Sequence, residues 1–138
     1  MHRTKRSERR ARVLAQKSDM NQNLAAIIIQ GGKILGSGFN QRIDYNHSHH
    51  AEIKALKSMR RQKRTPKGAD IHVYRFRADG TYGLAKPCRD CMVAIKESGI
   101  KRVFYSDYDG SMKMLKVDDV NLEDYGYRNR RWKNTKNE

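Results

Sequence analysis

The chain has 138 residues, which is enough for one hydrophobic core of a few strands and helices and too few for two such cores. Thirty lysines and arginines oppose fifteen aspartates and glutamates, so the formal net charge is +15, while hydrophobic residues make up only 37% of the chain. No segment reaches the apolar length of a membrane-spanning helix, and the basic N-terminus lacks the hydrophobic centre of a signal peptide, so we expect a cytoplasmic protein without membrane contact.

The first predicted elements are a helix and a β-hairpin. Residues 4–18 set three apolar side chains among charges, a pattern typical of an amphipathic helix that lies across a domain. These apolar residues are Ala11, Val13 and Leu14. Residues 24–39 are predicted to form two strands, because Gly31 and Gly32 between them supply the positive φ angles of a two-residue turn.

A second helix and a central strand follow. A polar loop over 40–49 leads to a helix from about His50 to Gln62. The sequence KRTPKG ends this helix, because proline and glycine both interrupt helical patterns. Residues 69–77 then predict a central strand, and residues 78–87 a loop that returns toward the sheet edge.

The last predicted elements are a third helix and two strands. The helix spans about Cys88–Ser98, starting after Pro87 and ending before Gly99, which matches the usual preference for proline at the start and glycine after the end. Residues 100–106 predict a fourth strand, and a fifth lies around 112–117. The sequence contains no internal repeat.

These elements predict one domain with two basic extensions. We expect a basic N-terminal helix over 1–20 that packs on the domain, the domain itself over 21–120, and a basic tail or short helix over 121–138.

The basic residues are concentrated in three segments. Seven lie in 1–18, seven in 54–67 and five in 128–136. Such clusters attract a polyanion or a phosphorylated substrate, which makes nucleic acid a candidate partner. Charge runs are also common as solvated surfaces that keep a protein soluble, so composition leaves both interpretations open.

Two short motifs point to a metal site. Two cysteines spaced C-x-x-C in an intracellular chain favour a metal or redox pair over a structural disulfide. Cys88 and Cys91, three residues apart in the first turn of one helix, would direct both thiolates to the same side and occupy two corners of a tetrahedral zinc. His50, in the first turn of the preceding helix, would supply the third ligand, since helices that follow parallel strands begin at the same end of the sheet.

A fourth corner without a protein ligand would hold water, as in catalytic zinc sites. Glu52, two residues past His50, would then lie beside the metal and exchange protons with this water. The residues therefore predict a hydrolytic centre with a proton shuttle.

At these residues the chain resembles the zinc-dependent nucleoside and nucleotide deaminases, whose signature combines H-x-E with P-C-x-x-C. The matching residues are His50-Ala51-Glu52 and Pro87-Cys88-Arg89-Asp90-Cys91. The resemblance extends to the order of elements over about 21–120 and to the sequence GSGFN, which ends at Asn40. The sequence CMVAIKESGIKRVFYS is similar to the deoxycytidylate deaminase branch.

The resemblance implies a three-layer α/β/α cytidine-deaminase-like fold with a mixed sheet of about five strands. It implies that His50, Cys88 and Cys91 bind one zinc ion per chain and that Glu52 shuttles the proton. It further implies that the Ala51 amide contacts the pyrimidine carbonyl, that Asn40 holds the sugar, and that the protein is a homo-oligomer.

The sequence also departs from this family. Ala85 and Lys86 precede Pro87 where relatives usually carry other residues, and Gln41 follows Asn40 where deoxycytidylate deaminases often have glycine. The loop over 41–49 is too short to hold the further zinc ligands of some deoxycytidylate deaminases, which is why one zinc is expected.

Several alternatives compete with these assignments. His47 or His49 would be the ligand in place of His50 only if Glu52 moved out of the H-x-E register. The C-x-x-C pair would otherwise be a redox pair or part of a non-catalytic zinc module. Arg89 and Lys86 would meet a phosphate or face solvent, and Tyr82, Tyr105 and Tyr108 would stack on a base or belong to the core or surface.

The favoured interpretation is hydrolytic deamination of a cytosine nucleotide of the deoxycytidylate type, giving uracil and ammonia. A second interpretation is deamination of cytosine or adenosine in single-stranded DNA or RNA, including tRNA, which the net charge of +15 favours. A third is a zinc-containing nucleic-acid-binding module without enzymatic activity.

Overall fold

The computed structural model describes residues 2–18, 23–42 and 48–123. Its elements are α1 His2–Ala15, β1 Asn23–Gln30, β2 Lys33–Phe39, β3 Gln41–Arg42, β4 Ser48–His49, α2 Ala51–Arg61, β5 Asp70–Phe76, β6 Tyr82–Gly83, α3 Arg89–Ser98, β7 Arg102–Ser106 and β8 Met112–Lys116. A short 3₁₀ helix, Val117–Asp119, follows β8. In the described part of the chain, no helix is long and apolar enough to cross a membrane.

A mixed sheet with the order β2-β1-β5-β7-β8 forms the centre of the molecule, and β6 pairs with the end of β5. β1 is antiparallel to both β2 and β5, whereas β5 and β7 are parallel. β2, β5 and β7 therefore run in the same direction. The predicted mixed sheet is confirmed, with β5 as its central strand and β8 as the predicted fifth strand.

Helices cover both faces of this sheet, because alternate residues of a strand point to opposite faces. Ala25 and Ile27 of β1 pack with α1, whereas Ala26 and Ile28 pack in the core beneath α2 and α3. All four side chains are fully buried. The structure thus has the three-layer α/β/α architecture that the family resemblance implied.

Helix α2 lies directly on β2 at two glycines. A Cβ atom built on Gly38 would lie 2.6 Å from the Ala55 nitrogen and 2.7 Å from the Ala51 oxygen, both in the α2 backbone. A Cβ on Gly36 would lie 2.9 Å from the Met59 sulfur. The absence of side chains at these positions brings the start of α2 against the end of β2, which fixes the residues at the helix N-terminus.

The β1–β2 turn matches its prediction, since Gly31 and Gly32 have φ angles of +59° and +78°.

Val13 differs from the expectation that it belongs to the apolar side of α1. Its side chain is 54% exposed, while Ala11, Leu14 and Ala15 are buried against the sheet. The apolar stripe of α1 is narrower than its composition suggested, because Val13 lies on the outer side of the helix.

Three short strands were not predicted. β3 and β4 pair with each other inside the segment predicted as a polar loop, and β6 lies inside the predicted loop 78–87. Each has two residues, which is too short to show the alternation that identifies a strand in a sequence. Residues 1, 19–22, 43–47 and 124–138 lie outside the described part, and with them His47 and most of the predicted tail.

Candidate metal centre

The starts of α2 and α3 meet at one end of the sheet. α2 follows β2 after the short pair β3 and β4, and α3 follows β5 after β6, and the two parallel strands β2 and β5 end on the same side. His50 and Cys88 are the residues immediately before the two helices, with extended ψ angles of 148° and 171°. Sequence reasoning placed both inside the first helical turn. They are instead N-cap residues, and Cys91 lies in the first turn of α3.

Three potential ligands converge at this point. The ligand atoms of His50, Cys88 and Cys91 all lie within 4.8 Å of one another. His50 Nδ1 is 3.2 Å from Cys91 Sγ and 3.8 Å from Cys88 Sγ. A tetrahedral zinc with bonds of about 2.0 Å to nitrogen and about 2.3 Å to sulfur holds such atoms about 3.5 Å apart. The donor set and its spacing therefore fit one zinc ion.

The two cysteines of this group have opposite protonation, and only the shift of Cys88 is toward the thiolate that binds a metal. A hydrogen bond donated by the Cys91 thiol, together with one from His50, lowers the pKa of Cys88 to about 4 despite partial burial. The same hydrogen bond to Cys88, with burial, raises the pKa of Cys91 well above its usual range. One thiolate and one thiol share the site, so zinc binding would release the Cys91 proton.

Glu52 lies behind this group, on the first turn of α2. Its side chain is 3% exposed, and burial is the main cause that raises the pKa of its carboxyl group. The carboxyl group also hydrogen-bonds with Cys91. A buried carboxyl group with a raised pKa beside a metal centre has the properties required to accept and return a proton near neutral pH.

Asn40 follows β2 at the same end of the sheet and is buried. Its side-chain Oδ1 accepts a hydrogen bond of 3.0 Å from the Leu24 backbone N–H, and its backbone N–H donates to the Leu24 carbonyl oxygen at 3.2 Å. Ala51 is the first residue of α2, so its amide belongs to the first-turn groups that have no partner within the helix. Ala51 thus adjoins His50, and Asn40 lies at the end of β2, on the side of the sheet where α2 begins.

Other residues considered from the sequence have different positions. Tyr82 packs edge to face with Tyr74 on the α1 side of the sheet, and Tyr105 packs in the core beneath α2 and α3. Tyr108 is 58% exposed and lies under the Arg77 guanidinium. The Arg89 guanidinium is not simply solvated, because its Nε donates to the Leu122 carbonyl at 3.1 Å and holds the chain after β8 beside α3.

One neighbouring contact was missed by sequence reasoning. The Lys54 ammonium group donates to Gln41 Oε1 and lies 5.0 Å from the centre of the Phe39 ring. This contact joins the first turns of α2 to the residues on either side of Asn40. The sequence signal for it was Gln41 itself, which the sequence analysis singled out as a departure from the deoxycytidylate deaminases.

Residues 1–107 of the sequence match the protein family described as the cytidine and deoxycytidylate deaminase zinc-binding region. The chain belongs to this family. Membership agrees with the metal group, since His50, Cys88 and Cys91 form a site for one metal ion within the matched region.

Two curated relatives of this deaminase-family chain come from Buchnera aphidicola subsp. Schizaphis graminum. A tRNA-specific adenosine deaminase is 38% identical over 104 residues, which cover 72% of this chain and 64% of the relative. A diaminohydroxyphosphoribosylamino-pyrimidine deaminase is 35% identical over 94 residues, covering 68% of this chain and 57% of the relative. The chain thus spans less than two thirds of either relative.

A solved structure shows the same fold. The dCMP deaminase from the cyanophage S-TIM5 superposes with a TM-score of 0.58 and 24% identity, over 75% of this chain and 81% of the phage protein. The cytidine-deaminase-like arrangement of sheet and helices predicted from the two motifs is therefore confirmed.

Proposed function

We propose that this chain hydrolytically deaminates a cytosine nucleotide of the deoxycytidylate type, producing the uracil nucleotide and ammonia. The observation that carries the proposal is the buried Glu52 carboxyl group next to the convergent His50, Cys88 and Cys91 side chains. Family membership supports it, because the matched region is described as the zinc-binding region of such deaminases.

In this proposal the three ligands hold the metal and Glu52 moves protons. A zinc ion held by His50, Cys88 and Cys91 would polarise a water molecule and lower its pKa toward neutrality. Glu52 accepts the proton of the attacking water and delivers it to N3 of the ring, while the water oxygen bonds to C4. Glu52 then passes the second water proton to the amino group, and the C4–N bond breaks to release ammonia. One water is consumed and the product carries the new carbonyl oxygen.

Two groups at the pocket edge are proposed to orient the nucleotide. The Ala51 amide, at the positive end of α2, would donate to the pyrimidine carbonyl oxygen. Asn40 would use its amide nitrogen to hold the sugar while its Oδ1 remains bonded to the Leu24 amide. Substrate binding would then depend on the same junction of β1 and β2 that fixes the start of α2.

A mononucleotide substrate is supported by where the basic clusters lie. α1, with its cluster, packs on the sheet face opposite α2 and α3. Lys54, in the first turns of α2, contacts Gln41 beside Asn40, but the other six cations of the 54–67 cluster occupy the later part of α2 and the following loop, and α2 is about 16 Å long at the usual rise per residue. Apart from Lys54, the cations of these two clusters therefore lie on other parts of the structure than the residues proposed to hold the reacting ring.

A second candidate is deamination of adenosine in an RNA substrate. It is favoured by one observation, the 38% identity with a tRNA-specific adenosine deaminase. The same metal group and Glu52 would act in this reaction, with the water molecule attacking C6 of adenine.

A substrate panel tests both candidates. The zinc-loaded chain is given deoxycytidylate, cytidine, a single-stranded oligonucleotide and tRNA, and ammonia release is measured. We expect turnover of deoxycytidylate. Turnover of the polymers alone would overturn the mononucleotide assignment, and no turnover of any substrate by protein that holds zinc would overturn the proposed function.

Neighbouring histidines provide a matched control for this panel. His50→Ala should lose both zinc and activity, whereas His49→Ala should keep both. Loss of zinc in His49→Ala with retention in His50→Ala would show that the ligand assignment is wrong.

A further inference from the structure

The outer side of α2 and the loop that follows it form a surface that the deamination reaction does not use. Six cations lie within eleven residues there, and all six side chains are exposed. We call this the α2 basic surface: Lys57, Arg60, Arg61, Lys63, Arg64 and Lys67. Residues 53–69 contain no aspartate or glutamate, so the surface has no neutralising charge of its own along the chain.

A cavity opens beside these cations, between the C-terminal halves of α2 and α3. Its volume is about 360 Å³, larger than a nucleobase. Leu56, Met59 and Pro66 give it apolar walls, while Arg60, Thr65 and Ser98 contribute polar groups. Glu97 of α3 also lines it and is the acidic residue at this surface. Cations next to an apolar recess match a ligand with both phosphates and flat rings.

We infer that the α2 basic surface binds the backbone of a single-stranded polynucleotide, with one unstacked base entering the cavity between α2 and α3. Phosphates spaced along a strand would meet the cations in turn, and base stacking or burial adds to this attraction without requiring a particular sequence. In a duplex the faces of the bases are stacked and inaccessible, so a duplex would contact the cations of this surface but could not place a base in the cavity.

Charge and exposure favour this occupant over two others. A second copy of the chain would bring six cations against six, which is repulsive. Insertion of a helix into the membrane interface requires an exposed apolar side. Among the described residues, however, the exposed large hydrophobic side chains are Val13, Tyr108 and Met114, all outside α2.

The surface is also separate from the proposed chemistry. His50 and Glu52 lie at the N-terminal end of α2, whereas Arg60 and Arg61 form its last turn. Binding at the α2 basic surface therefore does not depend on which nucleotide the metal centre deaminates. An experiment that disproves the proposed deamination would therefore not disprove binding at the α2 basic surface, and the reverse also holds.

Fluorescence anisotropy with a labelled 12-residue oligothymidylate tests the inference, because thymine has no amino group to deaminate. We compare Arg60→Gln/Arg61→Gln with Arg9→Gln/Arg10→Gln, which removes the same two charges from exposed adjacent positions of α1. The α2 variant should bind at least about tenfold more weakly and reduce the slope of log affinity against log salt by about 1.4, while the α1 variant stays within about twofold of the unaltered chain.

Other outcomes would overturn the inference. These are equal losses in both variants, no loss in the α2 variant, or equally tight binding of a duplex, a heparin fragment or anionic lipid vesicles of matched charge. Melting temperatures and deoxycytidylate turnover are measured alongside, and both should be unchanged in the α2 variant. Restored binding in Arg60→Lys/Arg61→Lys would separate lost charge from altered folding.

Discussion

Two polar clusters in this molecule each bring a histidine next to a nucleophilic side chain, and they differ in their surroundings. At one end of the sheet, His50 lies beside two cysteines and is solvent-exposed. Under α1, His72 Nδ1 lies 2.7 Å from Ser7 Oγ, which also hydrogen-bonds with the Tyr74 hydroxyl. Ser7, His72 and Tyr74 are at most 1% exposed.

The difference shows that nearness of a base and a nucleophile does not by itself make a reactive site. His50 precedes a helix at the end of parallel strands, where substrates have access. His72 and Tyr74 lie in the middle of β5 beneath α1, where burial raises the pKa of Tyr74 well above its usual range. We interpret the second cluster as a polar contact that fixes α1 on the sheet. The following substitutions test this contrast.

The largest expected effect is on catalysis. Glu52→Gln keeps the size of the side chain and removes the group that exchanges protons, so kcat should fall about 10³-fold. Zinc content, measured by metal analysis, should stay at one ion per chain. A variant with near-normal turnover would show that Glu52 is not the proton shuttle.

A smaller effect on the same region is expected from Gly38→Ala. The added Cβ would lie 2.6 Å from the Ala55 nitrogen in the α2 backbone, so the helix must move away from β2. The free energy of unfolding should fall by about 1–3 kcal/mol, and kcat should fall because His50 and Glu52 move with the helix. Chemical denaturation and steady-state kinetics measure the two effects.

Gly31→Ala is the control, since a Cβ there meets nothing within 4 Å and only the φ of +59° is unfavourable. It should cost about 1 kcal/mol of stability and leave kcat unchanged. Normal kinetics in Gly38→Ala would mean that the close approach of α2 to β2 does not position the site.

Ser7→Ala tests the cluster under α1. It leaves the buried His72 and Tyr74 groups without the serine hydroxyl, so the free energy of unfolding should fall by about 1–3 kcal/mol. Deoxycytidylate turnover should remain within about twofold, measured below the unfolding transition. A tenfold loss of kcat in folded protein would contradict the structural interpretation.

The smallest expected effects come from Asn40, which serves packing and substrate binding in our proposal. Asn40→Asp keeps an oxygen for the Leu24 amide and removes the amide nitrogen, whereas Asn40→Ala removes both. Both variants should raise KM about five- to tenfold, and the alanine variant should also lose about 1 kcal/mol of stability. An unchanged KM in both would remove Asn40 from the substrate site.

The metal group was predictable because its signal is local. His50 with Glu52, and Cys88 with Cys91, are close in sequence, and the rule that helices after parallel strands begin at one end of a sheet joins the two pairs. The long strands were equally predictable, since β1, β5 and β7 combine apolar runs with clear turns. Around the metal group the helix starts were misplaced, because an N-cap and a first-turn residue look alike in a sequence.

The second cluster left no comparable signal. Ser7 and His72 are 65 residues apart, and each lies in a segment whose pattern already predicted a helix or a strand. Their contact depends on how α1 crosses the sheet, which periodicity does not define. The same holds for Gly38, which looked like an ordinary strand residue until the position of α2 showed why a side chain does not fit.

His50 and Cys91 are 41 residues apart, and the whole of β5 lies between them. An ion bound by both would act as a cross-link that ties the beginnings of two helices across the central strand, in the way that a disulfide closes a loop. Resistance to unfolding would then vary with free zinc concentration, so the same coordination that prepares the reaction would also help to hold the helical layer in place.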